Sequence, residues 1–488
     1  MGSYLLDSPI HDHCGITGVY SYSNSNVTTQ IVQILEALQH RGQESVGLAV
    51  DGNPTYTRDG LVYNALLEDG KKIDQIKGHA GIGHVRYSTS GKSGVIGNFH
   101  PIPINSKIKF SIAHNGTISN KEDIERELKE RGLVLPELPG GRTDTELAGY
   151  LIGELFSESH DWVTTFEKFT EIKNGSFCFT ILTEKGDVIA ARDDRGYKPL
   201  CYGYHDETHS YVIASEDHAL KTIDAKKIDD VKPGELIILD KDGPRIKTFS
   251  KNVVYTLDPF EITYFAKEDS VIDGIEVGGT RKNIGREMYK KFSISADVVV
   301  PIPESAYHAA EGVSLESGIP LTHAIRKDRY MRSFIEPNDE RRKYITKGLY
   351  VINSLVRGKE VLLVDDSIIR LTSSRKYTGL VSNAGATKIS LFSYFPPIRF
   401  PCYMGIDFPT QEELIAHRLA ANESDLEKIG EKVAGELGIA FVGYMDPATL
   451  SKAIGLPLSS FCFACVTGDY SRLNFSPKFR TREEMKGE

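Results

Sequence analysis

The chain has 488 residues, 40% apolar and 26% charged, with 58 basic against 67 acidic side chains for a net charge of −9. That length exceeds what one hydrophobic core normally organises, so two or three domains are expected. The acidic balance excludes a nucleic-acid binder working through global charge, and no apolar run approaches the ~18 residues of a membrane span.

Met1–His13 carries neither the basic start nor the apolar core of a secretory signal, and Leu6 breaks the N-myristoylation pattern. Six cysteines, at 14, 178, 201, 402, 462 and 465, are too sparse for a disulfide scaffold and suit a cytoplasmic setting. Cys14 opens C-G-I-T-G-V-Y, a strand-like run, and Ile31–Leu38 has helical spacing. Four chemistry-bearing segments follow: L-Q-H-R-G-Q-E-S-V-G-L (Leu38–Leu48), G-I-G-H-V-R-Y-S-T (Gly81–Thr89), A-H-N-G (Ala113–Gly116) and R-T-D-T-E (Arg142–Glu146). A thiol such as Cys14 can act as nucleophile. An arginine and an aspartate, as at Arg86 and Asp144, can pair with the two charged ends of a free amino acid. Asn115 beside the Gly116 N–H can form an oxyanion hole. Each also has a plain structural use: Arg86 as a surface ion pair, Asn115-Gly116 as a type I′ hairpin turn, Asp144 as a helix N-cap. Cys178 and Cys201 read as small core residues.

A first domain is expected to end near Ser250–Leu257. Beyond it, Ala296–Pro303 is a buried-strand candidate ending at Glu304-Ser305. Arg326–Lys347 holds eight basic and four acidic residues, either a clamp for an anion or a solvated loop. The stretch Glu360–Arg375, E-V-L-L-V-D-D-S-I-I-R-L-T-S-S-R, reads as a second buried strand ending in two carboxylates, a hydroxyl-rich turn at Thr372–Ser374, and a helix to about Ala384. Two acids beside a phosphate-sized cradle at a strand end suit a ligand with both hydroxyls and phosphates. Cys402 and Cys462-Phe463-Ala464-Cys465 form the last constellation; such a C-x-x-C can be redox-active, metal-binding or incidental.

In this order, the segments from Cys14 to about Val254 resemble the glutaminase domain of class II, N-terminal-nucleophile (Ntn) amidotransferases. Further pieces that fit are G-S-F-C-F at Gly175, R-D-D-R-G-Y-K-P-L at Arg192–Leu200 and A-S-E at Ala214–Glu216. D-D-S-I-I-R resembles the phosphoribosyl-diphosphate (PRPP) loop of phosphoribosyltransferases, and F-E-I-T-Y-F-A-K-E-D-S (Phe260–Ser270) and R-S-F-I-E-P (Arg332–Pro337) resemble the amidophosphoribosyltransferase family. The resemblance implies an Ntn-hydrolase αββα sandwich, 14–254, followed by a type I phosphoribosyltransferase parallel-sheet domain, 255–488, with 1–13 a propeptide cleaved before Cys14. It implies Cys14 as nucleophile, Asn115 and Gly116 as oxyanion donors, and Arg41, Arg86, Thr89 and Asp144 at glutamine. Asp365, Asp366, Ser367, Arg370, Thr372, Ser373, Ser374 and Lys347 would meet PRPP, with Arg341 or Arg342 also candidates for the diphosphate. Ser305, Asp365 and Asp366 would hold Mg²⁺.

The same resemblance implies a [4Fe–4S] cluster on Cys402, Cys462 and Cys465; where the family has a fourth cysteine stands Asp258, either as the fourth ligand or leaving that site lost and labile. A second departure, within R-D-D-R-G-Y-K-P-L, puts Asp194 and Lys198 where the pattern has proline and arginine, expected to be surface-tolerable changes. A third puts Leu371 in place of the loop glycine, expected to keep a negative φ if the loop holds its shape. The implied activity is PRPP amidotransfer from glutamine by a homo-oligomer, dimer or tetramer. The alternatives are another class II amidotransferase, such as glutamine–fructose-6-phosphate transaminase, and a degenerate PRPP-binding regulator.

Overall fold

The computed structural model describes residues 14–67, 73–86, 99–135, 142–327, 349–406 and 410–471. Thr89, Arg341, Arg342, Lys347, Arg332–Pro337 and the expected cleavage point after His13 lie outside these residues.

The apolar runs of the first half are buried at every position rather than alternately, as in Gly15–Ser21, Ser45–Val50 and Ala80–Arg86. Such strands need a layer on each face. In chain order the strands are β1 (Gly15–Ser21), β2 (Ser45–Val50), β3 (Tyr56–Asp59), β4 (Ala80–Arg86), β5 (Ile102–Asn105), β6 (Lys109–Ile118) and β7 (Gly175–Thr183). Then come β8 (Val188–Arg192), β9 (Cys201–His205), β10 (Ser210–Ala214), β11 (Lys226–Asp230), β12 (Glu235–Asp240) and β13 (Gly243–Thr248). They form two antiparallel sheets, ordered β11-β9-β10-β1-β4-β2-β3 and β13-β12-β8-β7-β6-β5. Ile16, Ile82, Ala113, Cys178 and Val188 pack in one core between the sheets. The helix Thr28–Ala37 covers the outer face of the first sheet, and Asp144–Ser159 and Trp162–Ile172 cover the second. The result is the αββα sandwich of an Ntn hydrolase.

The second half begins with a ribbon, β14 (Val271–Ile272) against β15 (Ile275–Glu276). It continues through β16 (Val298–Pro301), the ribbon β17 (Ile325–Lys327) with β18 (Leu349–Val351), β19 (Glu360–Asp365), β20 (Lys388–Ser393) and β21 (Phe441–Tyr444). β16-β19-β20-β21 is a parallel sheet. One face packs on the helices Val277–Phe292 and Tyr307–Ser317, the other on Thr372–Asn383 and Leu426–Leu437. Thr372–Ser374, expected as a turn, forms the first turn of the helix Thr372–Asn383. The Asn115-Gly116 pair is no hairpin turn either: it lies within β6, opposite Cys178 and Phe177.

Three histidines are buried in the sandwich. His84 Nε2 donates to the His114 carbonyl at 3.0 Å, its ring lies 4.4 Å from that of His100, and its Nδ1 has no partner among the described residues. Burial pushes the His84 pKa down to about 3, and lowers those of His100 and His114. An unfolded histidine titrates near ~6.5, so between that pH and about 3 the unfolded chain binds the extra proton. The stabilisation is complete above the unfolded pKa and is lost as pH falls toward the folded one. Denaturant unfolding at pH 7.5 and pH 5 is expected to show a loss of about 2 kcal/mol from His84 alone; equal stabilities at the two pH values would contradict the neutral buried ring.

Candidate active sites

Cys14 immediately precedes β1 and is buried. The β1–β4 register pairs Gly15 with Val85, which brings Cys14 to the same sheet end as Arg86, the last residue of β4. Arg86 is 3% exposed and donates to Glu44 at 2.8 Å, so it is no surface pair. Asp144 is not the N-cap expected as its structural use; Thr143 caps the helix through Glu146 N. The Asp144 carboxylate instead accepts from Ile118 N, at the end of β6, at 2.9 Å.

Gly116 has φ +145°, and a Cβ there would lie 2.3 Å from the Ser176 carbonyl, so only glycine fits. Asn115 is 1% exposed, and its Nδ2 has no hydrogen-bond partner among the described residues. A buried donor left unsatisfied costs ~1–3 kcal/mol. An anionic oxygen would satisfy it.

Arg41, expected among the glutamine-binding residues, lies behind Cys14. It is 2% exposed; Nε donates to the Cys14 carbonyl at 3.3 Å, Nη1 to Glu216 at 2.5 Å, and Nη2 to both oxygens of Glu261 at 2.9 Å. Burial alone would lower the guanidinium's pKa; Glu261 and Glu216 outweigh it and raise it. For Glu216 burial pulls upward, but His40 and Arg41 hold it well below the carboxylate range.

The second site lies at the carboxyl rim of the parallel sheet. Asp365 ends β19, and Asp366 follows it, both nearly buried. Ser305, beyond the end of neighbouring β16, donates to Asp366 Oδ2 at 2.5 Å, and Ser367 Oγ donates to Oδ1 at 2.6 Å. Burial raises both carboxyl pKa values, with the Asp366 charge adding to the rise at Asp365. A cation would relieve that repulsion. Ser373 and Ser374 are buried in the first turn of the following helix, and a helix N-terminus is a place where backbone N–H groups can meet an anion. Thr372 opens that turn at the surface, and Arg370 pairs with Glu413 at 2.8 Å.

A family model described as a glutamine amidotransferase domain matches residues 94–222. The amidophosphoribosyltransferase of Methanothermobacter thermautotrophicus is 37% identical over 471 residues, covering 96% of each chain. That of Bacillus subtilis is 33% identical, covering 94% of each. The chain belongs to the amidophosphoribosyltransferase family. The solved B. subtilis PRPP amidotransferase, complexed with ADP and GMP, superposes with TM-score 0.82 at 32% identity, covering 96% of this chain and 99% of that one. A structure described as the allosteric regulatory enzyme of purine biosynthesis gives 0.81, also at 32% identity, covering 94% of this chain and 96% of that one.

Within this amidophosphoribosyltransferase architecture, the seam between the halves holds the remaining expected residues. Asp258, Cys402, Cys462 and Cys465 line one cavity of ≈ 20 Å³, together with Tyr197, Met404 and Tyr470. Burial pushes the Cys402 thiol up to about 11 and Cys462 to about 12, and holds Cys465 well above the ordinary thiol range. Lys198, expected at the surface, is fully buried, with Nζ 2.8 Å from Asp258 Oδ2 and 3.8 Å from Glu261. Two of the departures from the family pattern, Lys198 and Asp258, therefore touch each other. Burial works against the Lys198 ammonium, but two carboxylates outweigh it and raise its pKa; Asp258 faces one ammonium, and burial raises its pKa. Three thiols and a carboxylate around one otherwise apolar cavity suit a thiolate-held iron–sulfur group. Among the described residues, no three His, Cys, Asp or Glu side chains are placed to hold a single metal ion.

Sequence reasoning passed over Glu216, Glu261 and Lys198 as site residues. All three stood inside quoted motifs, A-S-E, F-E and K-P-L, where they served only as markers of the fold. A buried charge in a motif signals a partner, but that partner lies 175 residues away for Arg41–Glu216 and 220 for Arg41–Glu261.

Leu371 corrects the third expectation. Its φ is +65°, the left-handed conformation that glycine takes readily, and its side chain is 3% exposed, in the core cluster that includes Ile368 and Val381. The left-handed backbone costs ~1–2 kcal/mol, and burying a leucine returns ~1.5–3 kcal/mol. The two nearly cancel, so Leu371→Gly is expected to lower stability by no more than about 2 kcal/mol while leaving the PRPP KM within tenfold. Thermal melts and PRPP titration check this; a larger fall in KM would mean that leucine distorts the loop.

Proposed function

We propose that this chain converts PRPP, glutamine and water to 5-phosphoribosylamine, glutamate and diphosphate, the first committed step of de novo purine biosynthesis. The observation that carries the reading is the left-handed backbone of Leu371: the departure most damaging to a PRPP site preserves the loop's glycine-like shape. That favours a working transferase over a degenerate regulator. The Asp365–Asp366 pair on a parallel sheet weighs against another class II amidotransferase.

Removal of Met1–His13 would free the Cys14 α-amine, whose ordinary pKa of ~7.7–8.0 suits it to take the thiol proton. The thiolate attacks the glutamine side-chain carbonyl, and Asn115 Nδ2 and the Gly116 N–H stabilise the oxyanion. Collapse releases ammonia and leaves a thioester, which water hydrolyses to glutamate. Arg86, Asp144 and Thr89 hold the amino-acid end of glutamine. Ammonia passes between the halves and attacks C1 of PRPP, displacing diphosphate.

Asp365 and Asp366 hold the ribose hydroxyls; Ser367, Arg370 and the 369–374 backbone and hydroxyls hold the 5′-phosphate; Lys347 meets the diphosphate. Asp365, Asp366 and Ser305 would hold Mg²⁺, which would supply positive charge to offset that of the diphosphate. The protein works in the cytoplasm as a homo-oligomer, a dimer or tetramer that sedimentation would size.

PRPP consumption with glutamine and with ammonium as nitrogen donors tests the reading, combined with intact mass of the active chain. Turnover with both donors, by protein whose mass begins at Cys14, is expected. Glutamine hydrolysis without PRPP turnover would return the degenerate reading, and full glutamine activity with Met1–His13 retained would remove the α-amine from the mechanism.

We further propose that Cys402, Cys462 and Cys465 hold a [4Fe–4S] cluster with Asp258 at the fourth position. The cluster would supply a structural tie rather than chemistry. Its thiols must lose the protons that burial now favours, so loading should weaken as pH falls. Anaerobic purification is expected to yield brown protein containing iron and acid-labile sulfide, with Asp258→Cys slowing bleaching in air. Colourless, iron-free protein from that preparation would refute the cluster.

A further inference from the structure

The nucleophile of the first half is held by a carboxylate from the second. Arg41 bonds the Cys14 carbonyl, and it is itself gripped on two sides. Glu216 grips it from within the sandwich. Glu261 grips it through a two-oxygen contact at 2.9 Å from the segment Glu261–Phe265, which packs with the parallel-sheet domain.

That segment is fixed from the second active site. Arg281 donates to the Ile262 and Ala266 carbonyls, each at 2.8 Å. The Tyr394 hydroxyl lies 3.0 Å from the Thr263 carbonyl and 3.1 Å from the Ser305 carbonyl, and the Ser305 side chain bonds Asp366. Glu216 also reaches the connector, accepting from Lys267 N at 2.9 Å and from Ser270 Oγ at 2.8 Å. A hydrogen-bonded path therefore runs from the acid pair through Ser305, Tyr394 and Glu261–Phe265 to Arg41 and Cys14.

We infer that Glu261 is a positioning residue for glutamine hydrolysis, acting across the domain seam through Arg41 on the backbone of Cys14. The inference deepens the proposed function and rests on that reading's assignment of Cys14 as nucleophile. Glu261 does not touch glutamine in this role. Its removal leaves Arg41 held from one side, free to rotate about Glu216, and the Cys14 carbonyl loses its fixed donor. A nucleophile displaced by even an ångström loses rate far more than it loses substrate binding.

The test uses the mature full-length protein and its variants Glu261→Gln and Glu261→Asp. Glutamate release is measured against glutamine concentration, and PRPP consumption with glutamine and with ammonium. For Glu261→Gln, kcat for glutamate release is expected to fall about 10–100-fold with the glutamine KM within threefold. The ratio of glutamine- to ammonium-dependent PRPP turnover should fall at least about tenfold, and Glu261→Asp should recover part of both losses. A parallel fall with both donors would make Glu261 merely structural and overturn the inference. So would an unaltered kcat, or a loss confined to KM. A wild-type chain that releases glutamate but never consumes PRPP would remove the proposed function, and the glutamate kinetics of the variants would still decide this inference.

Discussion

The buried charge row Glu216–Arg41–Glu261–Lys198–Asp258 is the constraint on which the rest of the structure depends. Two cations alternate with three carboxylates, all nearly or fully buried. Desolvating such groups is expensive, and removing one member of a buried pair costs ~3–5 kcal/mol because it strands its partner. The row therefore holds only if both halves of the chain deliver their charges to one seam. Arg41, Lys198 and Glu216 come from the sandwich, Asp258 and Glu261 from the connector beyond it. At one end Arg41 touches the Cys14 carbonyl, and at the other Asp258 lines the cysteine-rich cavity. Local alignment of a thiol and global docking of two domains become one folding event.

Much of this was legible in the sequence where the signal is local. β19 was visible as a short apolar run ending in acids, the following helix as a periodic segment, and the two halves as blocks of ordered motifs. The candidate site residues carried by short motifs, such as Cys14, Asn115, Gly116 and the acid pair, could be picked out in the sequence because each stands in a recognisable local pattern. What escaped was whatever depends on pairing across long separations. Asn115-Gly116 reads as a turn because the dipeptide favours one; only its pairing with β7 places it inside a strand. Lys198 reads as a surface residue because lysine is usually exposed; only the fold shows that Asp258 is its counterion.

Leu371 shows how a broken local rule can survive. The left-handed backbone disfavours a side chain, yet the loop sits directly above the parallel-sheet core, so the added side chain has somewhere apolar to go. The strain and the burial are of similar size and opposite sign. Local preference alone predicted the wrong sign of φ; the neighbourhood beneath the loop reverses it.

The loop that carries Cys402 has another consequence. Its backbone is received by the sandwich: Ser119 Oγ donates to the Tyr403 carbonyl at 3.0 Å and Ser176 Oγ to the Met404 carbonyl at 2.8 Å. A Cβ at Gly405 would lie 3.5 Å from Gly116. The wall behind Gly116 is thus furnished by the other domain. The halves are not freely exchangeable modules: a chimera joining this glutaminase to a relative's transferase half would have to carry along the 402–406 loop and the 258–261 connector, and recombination between relatives would be disfavoured at the apparent domain boundary, where sequence alone suggests the cut is safest.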